Sequence, residues 1–221
     1  MAIEPSRLPP SKSRKLHPWP VRVMHWLNAI AMILLITSGW GIYNDEPIFG
    51  WLLFSETITL GGWAPQHLLW HFAAMWLLVV NGLFYLVYGL VTGRFAEKLF
   101  PIHPREVLQT VKDTLRLHIA HDDLTVYNGV QKLLYLVVIL AGIMQVVTGL
   151  AIWKPVQFGW ITALFVDFQG ARLAHFIGMA VISGFLVVHV ALAVLVPRTM
   201  LAMLTGGPRL PPRIRAKEAR S

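Results

Sequence analysis

The chain has 221 residues, 56% of them hydrophobic and only 14% charged, with 19 Lys and Arg against 11 Asp and Glu. Soluble domains carry roughly a quarter charged residues, so this composition excludes an ordinary soluble domain and points to lipid. The absence of cysteine excludes Cys-x-x-Cys-His cofactor attachment, thiolate-held clusters and disulfides.

Residues 1–20 are basic and have neither an apolar core nor a small-residue cleavage site, so they are expected to be a cytoplasmic segment rather than a secretory signal. The first predicted span covers about 21–42, with His25 and a single Arg22 near its start. A connection follows that holds Asp45, Glu46 and Glu56 but no Lys or Arg, and its apolar part, 48–60, is too short to cross a membrane. The second span, 67–91, opens with His67 and His71. The connection 92–132 carries six basic residues and is broken by Pro101 and Pro104, after which Glu106–His118 has the pattern of a short amphipathic helix. The third span, 133–153, has no histidine, and the apolar segment 156–166 after it is again too short to cross. The fourth span, 173–196, contains His175 and His189, and the Pro- and Arg-rich tail 207–221 is expected to be disordered. A helix needs about 20 residues to cross a hydrocarbon core of about 30 Å. The predicted fold is therefore an all-α integral membrane bundle of four transmembrane helices with short interfacial segments, its membrane domain covering 21–206.

Of the 19 Lys and Arg, 17 fall in segments 1–24, 92–132 and 197–221, and only Lys154 and Arg172 lie on the opposite side. The positive-inside rule then places both termini in the cytoplasm. That placement accounts for the net charge of +8 through topology, and no nucleic-acid partner is expected. Trp and Tyr cluster at the span ends, as in an aromatic belt facing lipid headgroups.

Ionisable residues at membrane depth are costly and mark function. His175 and His189 are 14 residues apart on one helix, which puts them on nearly the same face about 21 Å apart. His25 starts the first span at the depth of His189, and His71 lies in the second span level with His175. His67 is the competing outer residue, one turn nearer solvent; His71 is preferred for its depth. The topology thus pairs His25 with His189 and His71 with His175, and each pair offers two imidazoles across a bundle, as bis-histidine haem ligation requires. Gly39 lies 14 residues after His25 and Gly82 lies 11 after His71, so each shares its histidine's face, where a missing side chain admits a flat porphyrin; small residues that merely pack helices are the alternative. Arg22 and Arg172 each precede a candidate ligand by three residues and can reach haem propionates.

The sequence resembles the cytochrome b subunits of nickel–iron hydrogenases and, more distantly, bacterial cytochrome b-561 and formate dehydrogenase gamma subunits. The resemblance covers about 17–206. It rests on His17-Pro-x-Pro-x-Arg22-x-x-His25-Trp26, His71-Phe-Ala-Ala-Met, Tyr127-Asn-x-x-Gln131-Lys, Arg172-x-x-His175-Phe and the 14-residue step to His189. It implies a four-helix bundle of the bacterial inner membrane, with two non-covalent haem b groups. Such a subunit belongs to a respiratory electron-transport chain and passes electrons between the quinone pool and a periplasmic oxidoreductase. The partner is a hydrogenase, a molybdopterin enzyme, a thiosulfate reductase or similar. Asn128 and Gln131 match the region where formate dehydrogenase gamma subunits bind quinone, an exchangeable substrate, although Asn128 as a helix cap is the competing reading. Two other functions compete: a self-contained quinone oxidoreductase acting on a small species such as superoxide, and a haem-free scaffold or transporter.

Overall fold

A computed structural model describes residues 14–95, 105, 108, 109 and 129–210. Four long helices dominate it: α1 (Trp19–Asp45), α2 (Ala64–Val91), α3 (Gly129–Trp153) and, after the short α4 (Gly159–Leu164), α5 (Phe168–Leu195). All four are long and apolar enough to cross a membrane. A further helix, α6 (Pro197–Thr205), follows directly.

The helices extend beyond most ends of the charge-free stretches because their caps lie outside those stretches. Pro20 and Pro65 occupy the first turns of α1 and α2, where a missing N–H removes no helical hydrogen bond. Asp167 caps α5 by accepting from the Gly170 backbone N–H at 2.8 Å. Pro197 ends α5 and opens α6. The expected amphipathic helix of 106–118 falls almost wholly outside the described residues.

α1 packs on α2, and α3 on α5. Small residues allow close approach: Ala31, Ala74, Ala151 and Ala171 are buried at these contacts. Large apolar residues such as Leu83, Leu90, Val187 and Val194 point outward, the arrangement expected where the solvent is lipid. Asn81 ties α2 to α1, donating from Nδ2 to the Met24 carbonyl and to Asn28 Oδ1, both at 2.7 Å.

At one end the connection 46–63 folds back over the bundle. Asn44 exchanges two hydrogen bonds with the backbone of Phe54, and the Tyr43 hydroxyl does the same with Phe49. This is the loop end. At the other, terminal end, β1 (Arg14–Lys15) pairs antiparallel with β2 (Arg209–Leu210), and Leu16 is buried beneath the join. The two chain ends therefore meet on one side, as an even number of crossings demands. Residues 207–210, placed by composition in a disordered tail, are held by this pairing; 211–221 lie outside the described residues.

Gly206 ends α6 at φ +102° and sends its N–H back to the Ala202 carbonyl at 2.9 Å. A Cβ there would stand 2.6 Å from the Lys15 side chain. Gly206→Val is expected to cost about 1–3 kcal/mol through the left-handed backbone, read as a lower thermal midpoint of the detergent-purified protein.

Candidate functional site

The two helix pairs meet along a seam, and four histidines face one another across it. His71 of α2 faces His175 of α5 near the loop end, with ring centres 6.4 Å apart and planes at 62°. His25 of α1 faces His189 of α5 nearer the terminal end, at 6.1 Å and 53°. Two imidazoles on opposite faces of one metal ion, each bonded at about 2 Å, hold their ring centres roughly 6 Å apart.

The loop-end pair is fixed by hydrogen bonds. Ser38 Oγ lies 3.1 Å from His71 Nδ1, and Thr148 Oγ1 lies 2.8 Å from His175 Nδ1. Gln145 Nε2 donates to the His175 carbonyl at 3.0 Å. The terminal-end pair is held by rings instead. His25 meets Trp26 edge-on at 5.2 Å, and His189 stacks on Phe185 at 5.4 Å and 18°. His25 Nδ1 is buried without a hydrogen-bond partner.

The other expected residues fall as follows. His67 turns away from the seam, and its Nδ1 meets Asp45 Oδ2 at 3.1 Å. It fills a slot beside Gly41, where a Cβ would stand 2.5 Å from its ring. Gly39 lies beneath His71, with an added Cβ 3.5 Å from that imidazole, whereas nothing lies within 4 Å of a Cβ at Gly82. Arg22 reaches the Leu204 carbonyl through Nη1, while its Nε is buried without a partner. Arg172 binds the Glu46 carbonyl at 2.5 Å, the Glu46 carboxylate at 3.5 Å and Gln169 Oε1 at 2.9 Å. Asn128 lies outside the described residues, as does the Gln131 side chain. Sequence reasoning missed Ser38, Thr148, Gln145 and Asn81. The signal was a hydroxyl followed by glycine in the first and third spans.

Among the described residues no three His, Cys, Asp or Glu side chains gather to hold a bare metal ion. Each seam pair supplies two facing imidazoles, so an ion between them needs its remaining ligands from another group. An iron porphyrin fits this donor set, since each pair brings one imidazole from each of two helices at a spacing that a metal between them would require.

Fold and site together define a four-helix membrane protein with two histidine pairs facing each other at two levels of the bundle. The chain belongs to the prokaryotic cytochrome b561 family, whose profile matches residues 16–206. Membership implies haem b, membrane electron transfer and a multi-pass bacterial membrane protein. The chain is 45% identical to an Azospira oryzae protein named as protein-methionine-sulfoxide reductase subunit YedZ1, over 86% of this chain and 96% of that one. Proteins named as Ni/Fe-hydrogenase B-type cytochrome subunits are more distant. The one from Azotobacter vinelandii is 26% identical over 86% of each chain, and that from Bradyrhizobium diazoefficiens 24% over 79% and 75%.

Proposed function

We propose that this chain is a di-haem cytochrome b of the bacterial inner membrane, carrying electrons between the quinone pool and a periplasmic oxidoreductase. The observation that carries this reading is the pair of imidazole separations, 6.1 and 6.4 Å, at two levels of one seam. His25 and His189 hold one haem; His71 and His175 hold the other. When bound, haem iron supplies one-electron chemistry. The chain supplies axial ligation, an apolar surrounding that excludes water, and a fixed spacing across most of the bilayer.

The charge asymmetry supports an orientation with the terminal end in the cytoplasm and the loop end in the periplasm. The buried Nε of Arg22 is a donor available to a propionate, and Arg172 stands one turn outward from His175 for the same purpose. Gly39 and Gly82 shape the walls. Asn128 and Gln131, just ahead of the third charge-free stretch in sequence, are the amides proposed for quinone carbonyls. The 45% identity to a protein named for methionine sulfoxide reduction favours a partner of that kind over a hydrogenase.

A dithionite-reduced minus oxidised spectrum of the detergent-purified protein, with pyridine haemochrome quantification, tests the reading. A b-type spectrum at two haems per chain is expected. A well-folded preparation without haem would sink it, and a single haem would mean that one pair is misassigned.

A further inference from the structure

Both loop-end imidazoles rest on seats of the same design. Ser38 and Thr148 are fully buried, at 0% exposure. Each hydroxyl has one proton to give. The Ser38 hydroxyl gives it to the Leu34 carbonyl at 2.6 Å, and the Thr148 hydroxyl to the Met144 carbonyl at 2.8 Å. Two oxygens that close, one of them a carbonyl, need the hydroxyl proton between them. A hydroxyl committed in this way to its own helix has only acceptor capacity left for a neighbour. The neighbours are His71 Nδ1 at 3.1 Å and His175 Nδ1 at 2.8 Å. Both rings must therefore carry their hydrogen on Nδ1, and Nε2 keeps the lone pair that a metal takes. The glycine after each hydroxyl completes the seat. A Cβ at Gly39 would stand 3.5 Å from His71 Cε1, and one at Gly149 3.5 Å from His175 Cε1.

Among the described residues, the terminal-end pair has no such arrangement. His25 Nδ1 is buried without a partner, and His189 is oriented by stacking on Phe185. A ligating imidazole that donates its other N–H is a stronger base toward the metal. A stronger donor stabilises ferric over ferrous iron.

We propose that Ser38 and Thr148 are positioning residues that fix the Nδ1–H tautomer and plane of both loop-end imidazoles, and thereby hold the loop-end haem at a lower reduction potential. This rests on the di-haem reading. The ordinary role for such hydroxyls is to tie helices together, a modest contribution to stability in membranes. That role alone affects stability and leaves the iron unchanged.

The test is potentiometric titration of the haem-loaded, full-length protein followed in the visible spectrum, with low-temperature EPR of the oxidised form. It uses Ser38→Ala, Thr148→Ala and the double variant. The double variant is expected to raise one midpoint, increasing the ferrous-to-ferric ratio of that haem about tenfold at fixed potential. Each single variant shifts it less, the other haem stays put, and the EPR signal of the shifting haem moves as its imidazole planes relax. Ser38→Thr and Thr148→Ser should restore wild-type values. Repeating the double variant in a His189→Leu background identifies the shifting haem as the one that background retains. Wild-type midpoints and EPR in the double variant, or an equal shift of both haems, would overturn the proposal while leaving the di-haem reading intact. Wild-type protein without two haems overturns that reading itself.

Discussion

His189→Leu is expected to yield a folded membrane protein that binds one haem instead of two. α5 carries a candidate ligand for each site, His175 and His189, about 21 Å apart along the helix axis. Loss of one ligand therefore leaves the other site's surroundings intact. The His189 ring is partly exposed and stacked on Phe185, so leucine replaces it without leaving a polar group stranded in apolar surroundings. His25 then faces a hydrocarbon side chain, and the haem proposed there would lose one of its two protein ligands. Pyridine haemochrome quantification should fall by half. Two haems in the variant would show that His25 and His189 do not share one.

The four spans were legible because lipid imposes a simple constraint, long stretches free of charge, which needs no knowledge of packing. Helix ends were less so. Charges mark where lipid stops, whereas Pro20, Pro65 and Asp167 mark where helices start, and these lie one to six residues before the first residue of the predicted span. α6 and the β1–β2 join were missed for a different reason. Residues 206–210 are glycine, proline and arginine-rich and read locally as tail, but they are ordered by segment 14–17, nearly 200 residues away in sequence. No local pattern reports a contact of that range.

The site divides in the same way. Depth along a helix is fixed by counting residues, so His25 can be matched to His189 and His71 to His175 from the sequence. The rotation of one helix against another is not fixed by counting. For that reason Ser38 and Thr148 passed unnoticed, although each precedes a glycine and lies level with a loop-end histidine. Gly39 was placed at the right level, but its neighbour in the structure is the His71 ring itself. That contact is between helices packed side by side, α1 and α2, while the histidine pairs cross the seam between the two helix pairs.

His71→Leu and His67→Leu, four residues apart on α2, are expected to have different outcomes. His71 faces His175 at 6.4 Å and rests on Ser38, so leucine there removes one axial donor and leaves His175 without an opposing ligand. The loop-end haem should be lost and the terminal-end haem kept. His67 instead joins the start of α2 to the end of α1 through Asp45, and is only 6% exposed in a slot lined by Gly41 and Gly61. Branched leucine fits that flat slot poorly, and the lost hydrogen bond adds to the strain, for a combined cost of about 1–3 kcal/mol. Asp45 is 39% exposed and can turn to water, so it is not stranded. His67→Leu should therefore lower the thermal midpoint and keep both haems. Haem counts and melting curves on the two variants separate the roles. If His67→Leu lost a haem while His71→Leu kept two, His67 would be the outer ligand, and α2 would have to turn to bring it to the seam. The hydroxyl beside His71 and the carboxylate beside His67 argue against that rotation, because it would break both contacts at once.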